Sequence, residues 1–471
     1  MLPALLNYIQ SCMNRSLLLL YCFGIFLMTS CTSQRKSIHM QFTETQLTKK
    51  DYGHFLNSTQ VFSPDDKWIV YDTRNDDGGI ISTGAIEMVN VFTGEIKTLY
   101  RTTHQTAFGP GVGAAAFNPH QNLVIFIHGI RNASEANPYG FTRRTAVGIK
   151  TDKPLEPLFM DARDIIAPFT PGALRGGTHA YSWSGDGEWL CFTYNDYVID
   201  QLAKHDTTVK DMRTIAVMAP GKVTVNDDGS EENNSGEKFA AVVATVTPHP
   251  QPGSDEIDKA FDEGWIGKNG YKKKDGSWQK RAIAFQGNVR NGDNETVTEV
   301  FVTDVPDDIT QAAPGKLLEG TATTSPNVPQ GTSQRRITFT KNGIQGPRHW
   351  LKCTSDGALI LFMAKDDKGI IQVFGVSPNG GAIKQISFND FPVDGPINIS
   401  PDDQFVAYIA DGSIFITDIK TGKSQRLTTK ATDANKPEGA VIWSNSGQML
   451  AFNRKMTVGE KKFIQVFILK R

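Results

Sequence analysis

Three histidines at related places in the sequence are the residues best suited to chemistry. His179 lies five residues before Ser184, and His349 lies five residues before Thr354; Ser184 and Thr354 each begin a predicted turn. His128 ends the apolar segment NLVIFIHG. Imidazole binds divalent metals and also exchanges protons near neutral pH. Convergence of the three would create either a metal site (Mn, Zn or Ca) or an acid–base site without metal.

Other polar residues accompany these histidines. Arg175 and Arg348 stand close to them in the sequence and could bind a carboxylate or phosphate with two hydrogen bonds each. Gly176 and Gly177 permit close backbone approach, either to a ligand or within a tight turn. The whole set of candidate ligand-binding residues is His128, Arg175, His179, Asn195, Asp196, Arg348 and His349. The structural alternative is that the histidines form hydrogen bonds between repeats and that the others form ion pairs or turn caps.

An internal repeat must position these side chains. Each copy has an apolar stretch, a turn of Ser, Asp, Gly or Asn, and a run rich in aromatic and β-branched residues, a pattern that predicts a hairpin. Clear copies are VFSPDDKWIVYDTR from Val61, YSWSGDGEWLCFTYND from Tyr181, NISPDDQFVAYIADG from Asn398 and VIWSNSGQMLAFNR from Val441. Looser copies start at Ala115 and Leu351, and a divergent one near Phe239 brings the number of units to seven.

Each unit has about 35 to 60 residues and room for four strands, which is the size of a β-propeller blade. The last unit, from Gly439, has only three strands, and ETQLTKK at Glu44 resembles the missing fourth. We therefore expect an all-β, seven-bladed β-propeller closed by pairing of the N-terminal strand with the last blade. No linker supports the alternative of two sandwich domains. In a propeller, inner strands start and second strands end at one face, so the candidate residues should meet there.

One segment departs from the β pattern. Ser254 is a suitable N-cap, and the two acidic residues after it would favour the positive end of a helix dipole. Ile257, Ala260 and Phe261 have a spacing that places them on one helix face. These features predict a short helical insertion near residues 254–266.

The N-terminal residues have the character of a targeting signal. Residues 16–28 are apolar and follow Arg15, with a length typical of a signal peptide. The following LMTSC resembles the lipobox of bacterial lipoproteins, with Cys31 as the lipidated residue. This predicts a signal peptide over 1–31, a tether over 32–41 and one propeller domain over 42–471. The expected location is the cell envelope, lipid-anchored at the outer membrane and facing the periplasm. A buried or membrane-anchoring helix is the alternative for the apolar run.

Composition excludes several classes of function. The chain has 471 residues with 49 Lys+Arg and 50 Asp+Glu, a formal net charge of −1. This balance argues against a nucleic-acid partner, which would require a basic excess. The sequence lacks the GxSxG, P-loop, HExxH and CxxC patterns, and no dinucleotide GxGxxG stands in a βαβ context.

The hairpin repeats with trailing QLT or RLT strands resemble TolB-like propellers. Four longer strings are similar to the YidR-type family of uncharacterised bacterial propeller proteins: FTPGALRGGTHAYSWSGDGEWLCFTYND, TPHPQPGSDEIDKAFDEGWIG, SQRRITFT and PRHWLKC. That family implies a fold and no activity. The expected function is binding of an envelope protein or a glycan at one face of the ring. The alternative is a metal-assisted lyase or hydrolase acting on acidic oligosaccharides, because the histidine placement resembles that of oligogalacturonate lyases.

Overall fold

A computed structural model describes residues 40–226 and 228–471. The predicted signal peptide and Cys31 lie outside the described residues. Within the described part of the chain, no helix has the length and apolar character needed to cross a membrane.

Seven small antiparallel sheets form the predicted seven blades. The innermost position of blade one is held by residues 55–62, through bridges from Phe55 to Asp72 and from Phe62 to Ile69. From the inside of each blade outwards, the strands of the first three blades are as follows: blade one, Trp68–Asp72, Ala85–Asn90 and Ile96–Arg101; blade two, Val112–Phe117, Leu123–Gly129, Arg144–Lys150 and Leu158–Phe159; blade three, Gly176–Trp183, Leu190–Asp196, Thr214–Val223 and Gly236–Val242. Blades four and five follow in the same order: blade four, Ala260–Trp265, Arg281–Arg290, Thr296–Val305 and Ser333–Arg336; blade five, Lys352–Cys353, Ile360–Lys365, Ile371–Val376 and Lys384–Gln385. The last two are blade six, Asn398–Ile399, Phe405–Ala410, Ser413–Asp418 and Ser424–Arg426, and blade seven, Pro437–Trp443, Met449–Val458, Lys461–Lys470 and Thr43–Gln46.

Few other elements interrupt this pattern. They are a 3-10 turn (Gly79–Ser82), an α-helix (Tyr197–Ala203), a parallel pair (Ala162–Arg163 with Ala173–Leu174) and a small hairpin (Tyr271–Lys272 with Trp278–Gln279). Apolar side chains from facing blades form the core, as where Cys191 of blade three shares a buried cluster with Phe285 of blade four.

The ring is closed as the sequence predicted. Thr43–Gln46 pairs antiparallel with the last strand, from Thr43 opposite Lys470 to Gln46 opposite Phe467. The Arg454 Nε lies 3.0 Å from Glu44 Oε1, which adds an ion pair across the same closure. Because the first and last strands of the propeller pair in one sheet, hydrogen bonds between them close the ring.

The SPDD sequences explain how neighbouring blades are joined at one end of the ring. The Ser63 hydroxyl accepts a hydrogen bond from the Trp68 backbone N–H at 3.0 Å and thereby closes the turn. The second aspartate of the motif, Asp66, accepts the Asn445 and Ser446 backbone N–H groups of blade seven, each at 2.8 Å. We call this end the turn face, and the opposite end, where the inner strands start, the cavity face.

The helix predicted near 254–266 is wrong. Ala260–Trp265 is the inner strand of blade four, and no helix is described over residues 254–266. The strand pairing shifts between Phe261 and Gly264, and Asp262 has a φ of +53°, which is a β-bulge. Ile257 lies in the connection before this strand, whereas Ala260 and Phe261 are its first two residues, so their helix-like spacing arises where a connection meets a strand.

Candidate functional site

A cavity of about 900 Å³ opens at the cavity face, around the mouth of the central channel. Its walls come from the starts of inner strands and from the connections between second and third strands. The residues that matter most for its chemistry are Tyr139, Phe141, Arg144, His179, Arg213 and Arg348.

His179 lies in the wall of this cavity as the sequence predicted. The residue is only 3% exposed, and neither ring nitrogen has a hydrogen-bond partner among the described residues. Burial, followed by the charges of nearby arginines, holds the pKa of His179 well below 6.5. The ring is therefore neutral near pH 7, so one nitrogen can donate a hydrogen bond and the other can accept one.

Arg144 begins the third strand of blade two and is 8% exposed. Its guanidinium carbon lies 4.7 Å from the ring centroids of both Tyr139 and Phe141. Its Nε has no hydrogen-bond partner, and no described carboxylate lies within ion-pair distance. Burial lowers the pKa of Arg144, but an arginine in a protein stays charged. The cavity wall therefore contains a buried positive charge with no ionic partner.

Two further groups give the same wall a donor-rich character. The Tyr139 hydroxyl is buried without a hydrogen-bond partner in the described part of the chain, and burial raises the pKa of Tyr139 to about 12, so the group stays protonated. The Lys259 ammonium lies 4.5 Å from the Phe261 ring centroid and also has no described ion-pair partner.

Arg213 stands before the third strand of blade three, 4.9 Å from the Phe141 ring centroid. Its Nε donates to Asn195 Oδ1 at 3.1 Å, and the Asn195 amide in turn donates to Asp211 Oδ2 at 2.8 Å. Asn195, which was predicted to bind ligand, does not line the cavity. Its observed contacts orient Arg213, which does.

Two glycines shortly before His179, Gly176 and Gly177, allow close packing of the backbone beside the cavity. A Cβ on Gly177 would lie 1.9 Å from the carbonyl oxygen of Phe141, and one on Gly176 would lie 1.9 Å from that of Asn195. Only residues without a side chain allow these approaches. Gly177 lets the Phe141 loop of blade two lie against the inner strand of blade three, and Gly176 lets the first two strands of blade three approach each other. The pair thus positions the cavity wall.

Arg348 lies at the cavity as predicted, but its charge is shared. Its Nε is 3.3 Å from Asp262 Oδ1 and its Nη1 is 3.9 Å from Asp77 Oδ2. The guanidinium also stacks on Trp350 at 4.5 Å. Arg348 therefore connects blade five to blades one and four and remains half exposed at the mouth.

His349 lines the cavity, but both of its nitrogens are already used. Nδ1 lies 2.9 Å from the Pro347 carbonyl oxygen, and Nε2 accepts the Met363 backbone N–H at 3.1 Å. Burial lowers the pKa of His349 to about 4, which keeps the ring neutral. These contacts are those of a structural histidine within blade five.

Besides Asn195, three more predicted site residues lie outside the cavity. The Arg175 Nη2 is 2.6 Å from Asp196 Oδ2, and Asp196 Oδ1 also caps the helix by accepting the Ile199 N–H at 3.1 Å. His128 is buried with its Nε2 2.9 Å from the Tyr100 hydroxyl of blade one. None of Arg175, Asp196 and His128 lines the cavity, because each points between elements of the ring and not into the channel.

The predicted three-histidine metal site is not formed. Residues 40–226 and 228–471 contain no group of three or more His, Cys, Asp or Glu placed to hold a metal ion. The reason is local: His128 faces blade one, and His349 uses both nitrogens within its own blade. The residues present therefore do not fit a histidine-bound metal at this mouth.

Sequence reasoning missed the strongest part of the site. Tyr139 and Phe141 come from the connection between the second and third strands of blade two, and Arg144 is the first residue of the third strand. The residues predicted from the sequence lie at or near the inner strands and the ends of the second strands, and none lies in this connection. The available signal was two aromatic residues shortly before two arginines, in YGFTRR from Tyr139.

The seven blades and the channel-mouth cavity define a β-propeller protein. The chain is 36% identical over 416 residues to the uncharacterized protein YidR of Escherichia coli (strain K12), covering 86% of this chain and 94% of that protein. It therefore belongs to the YidR family. Residues 111–233, which include Arg144, His179 and Arg213, match the family model described as a protein of unknown function (DUF3748).

Solved structures share the fold at much lower identity. The oligogalacturonate lyase of Vibrio parahaemolyticus matches with a TM-score of 0.50 and 10% identity, over 92% of this chain and 97% of that one. An oligogalacturonate lyase in complex with manganese matches with the same TM-score, identity and coverage. At 10% identity these matches establish the propeller architecture only.

Proposed function

We propose that this protein is a lipid-anchored binding protein of the cell envelope whose cavity holds an acidic glycan. The observation that carries the proposal is Arg144, a buried guanidinium without a carboxylate partner in the described chain, lining a 900 Å³ cavity. A buried charge without a counter-charge is costly, and an anionic ligand would compensate it.

The groups around Arg144 favour a carboxylate-bearing ligand that also has hydroxyls. Arg213 adds a second guanidinium beside Phe141, at 4.9 Å from its ring centroid. The neutral His179 and the Tyr139 hydroxyl offer further unpartnered donors and one acceptor. Sugars present both hydroxyls and apolar ring faces, so aromatic side chains and hydrogen-bonding groups together suit them.

The envelope location rests on the sequence. An apolar run of signal-peptide length precedes Cys31 in a context that resembles a lipobox. Metabolic labelling with a radioactive fatty acid tests it: the wild-type chain should incorporate label, and Cys31→Ser should not. Label of equal intensity in both chains would contradict the anchor.

Oligogalacturonate is the natural first probe, because the two structural neighbours named above are lyases of that acidic oligosaccharide. In calorimetric titration, wild type should bind it, and Arg144→Gln should weaken binding by about tenfold or more, as expected for loss of a charge-assisted hydrogen bond. A neutral oligosaccharide of equal length should bind neither protein.

Arg101→Gln is the matched control, since Arg101 is an exposed arginine on the outer strand of blade one, outside the cavity. Equal affinities of Arg144→Gln and wild type would contradict the proposal.

The same samples test the lyase alternative: an increase in ultraviolet absorbance from an unsaturated product would show turnover. Addition of Mn, Zn or Ca to parallel samples shows whether a divalent metal contributes.

A further inference from the structure

A small basic hairpin projects from the turn face, at the opposite end of the ring from the cavity. It connects the inner strand of blade four, which ends at Trp265, to the second strand, which starts at Arg281. Its arms, Tyr271–Lys272 and Trp278–Gln279, pair antiparallel. The tip is ordered by the Asp275 carboxylate, which accepts the Ser277 backbone N–H at 2.9 Å.

The hairpin concentrates lysines, most of which form no ion pair among the described residues. Four of its lysines are exposed and have no ion-pair partner among the described residues: Lys268, Lys272, Lys274 and Lys280. A fifth, Lys273, reaches Asp304 Oδ2 at 3.1 Å. Asp275 is the one acidic residue within 268–280. The chain as a whole is nearly neutral, so this concentration is a local feature.

An aromatic side chain is held outward beside these lysines. Trp278 is 57% exposed, although its indole N–H is fixed by the Asn269 carbonyl oxygen at 2.7 Å. Two other loop tips of the turn face also expose large apolar side chains, Phe92 of blade one at 68% and Leu155 of blade two at 61%. Lysine with exposed tryptophan is the combination typical of surfaces that lie against lipid headgroups.

The N-terminal strand enters the propeller at this same face. Thr43, its first residue, is opposite Lys470, which is also opposite Met449. Met449 directly follows the turn of Ser444, so Thr43 lies at the turn face. The predicted tether, residues 32–41, therefore joins the propeller at the face that carries the basic hairpin.

We propose that the turn face rests on an anionic phospholipid surface through the 268–280 hairpin, with the ligand cavity directed away from the bilayer. The orientation rests on the lipid anchor proposed above, whereas the hairpin contact is independent of it. A basic patch near an acyl chain converts reversible membrane attachment into stable attachment, since the two contributions to affinity multiply. The arrangement would leave the cavity open to soluble glycan.

Vesicle co-sedimentation of the full chain carrying Cys31→Ser tests the hairpin without acylation. We expect stronger binding to vesicles of phosphatidylglycerol and phosphatidylcholine than to phosphatidylcholine alone. Lys272→Ser with Lys274→Ser should weaken binding to the anionic vesicles about 25-fold, since each lysine near such a surface contributes about fivefold. The matched control is Lys210→Ser with Lys365→Ser, two exposed lysines of the cavity face, which should bind as the parent does.

A second measurement tests whether Trp278 contacts the lipid. Brominated lipids should quench part of the tryptophan fluorescence of the parent chain, and Trp278→Phe should remove most of that quenching. Unchanged quenching, equal effects of the two lysine pairs, or equal binding to neutral vesicles would each overturn the proposal. Competition by soluble polygalacturonate at the hairpin would overturn it too, because the surface would then be a polysaccharide site.

The two proposals fail separately. Arg144→Gln should leave vesicle binding unchanged, and the hairpin variant should leave oligogalacturonate binding unchanged, because the two surfaces lie at opposite ends of the ring. Loss of glycan binding alone contradicts the cavity function, and loss of the vesicle effect alone contradicts the membrane contact.

Discussion

His179 and His349 occupy the same register in blades three and five, five residues before the turn residue of each, yet their surroundings differ completely. His349 uses both nitrogens, one toward Pro347 and one toward the Met363 backbone. His179 is equally buried and uses neither. A repeat therefore reproduces the position of a side chain without reproducing its partners, and the partners separate a structural histidine from a candidate ligand-binding one.

The same contrast divides two buried arginines. Arg175 is paired with Asp196 at 2.6 Å and also donates to the Thr324 carbonyl oxygen at 3.0 Å. Arg144 has neither kind of contact with residues 40–226 and 228–471, and it faces the cavity. Both would be described in a sequence as arginines near a strand start. Their different roles follow from whether a carboxylate happens to stand opposite in the folded ring.

The largest expected effect is on Arg175. Arg175→Ala leaves the buried Asp196 without its counter-charge and removes the bonds that hold the 321–324 loop, so unfolding free energy should fall by about 3–5 kcal/mol. Chemical denaturation measures this loss. Arg144→Ala should cost far less, because no carboxylate loses a partner. Comparable losses in the two variants would remove the distinction between them.

The second test uses the two histidines. His349→Leu strands the Pro347 carbonyl oxygen and the Met363 N–H, which should cost about 1–3 kcal/mol of stability. His179→Leu removes a buried group that has no described partner, so stability should stay level or rise. The denaturant concentrations at half-unfolding measure this difference when the unfolding free energy of both variants depends equally steeply on denaturant. A larger loss for His179 than for His349 would contradict the assignment.

The smallest expected effect sharpens the role of Asn195. Asn195→Ala removes the hydrogen bond that orients Arg213, so oligogalacturonate affinity should fall about threefold to tenfold, as for one hydrogen bond of about 0.5–1.5 kcal/mol. In a chain that already carries Arg213→Gln, the same substitution should add little, since the two residues act as one unit. Full additivity would indicate that Asn195 acts independently of Arg213.

The repeat made the architecture predictable from the sequence. Turn residues such as those of SPDD act locally, through a serine hydroxyl that closes its own turn, and the missing strand of the last blade was visible near Glu44. Hydrophobic alternation within each strand decides which side chains face the neighbouring blade, so seven copies of one pattern specify a ring. The helix predicted over residues 254–266 was wrong because the spacing of Ile257, Ala260 and Phe261 spans a connection and the start of a strand.

The residues of the candidate site could be predicted from the sequence only in part. The sequence placed His179, Arg348 and His349 at one mouth of the ring, and the structure keeps all three in the cavity wall. It did not predict Tyr139 or Arg213, which lie in connections outside the repeat, or Arg144, which lies where such a connection enters a strand. Connections follow no shared pattern, so their direction depends on packing against the next blade.

What the sequence determined by itself is the ring: the number of blades, its closure and the face at which inner strands begin, since local turn chemistry and period-two alternation act over a few residues. What only the tertiary structure decided is which buried polar groups found partners. Hydrogen bonds and ion pairs here join residues as distant in the chain as Arg175 and Thr324 or Arg454 and Glu44. Such pairing depends on distances of a few ångströms between blades, which no local pattern encodes.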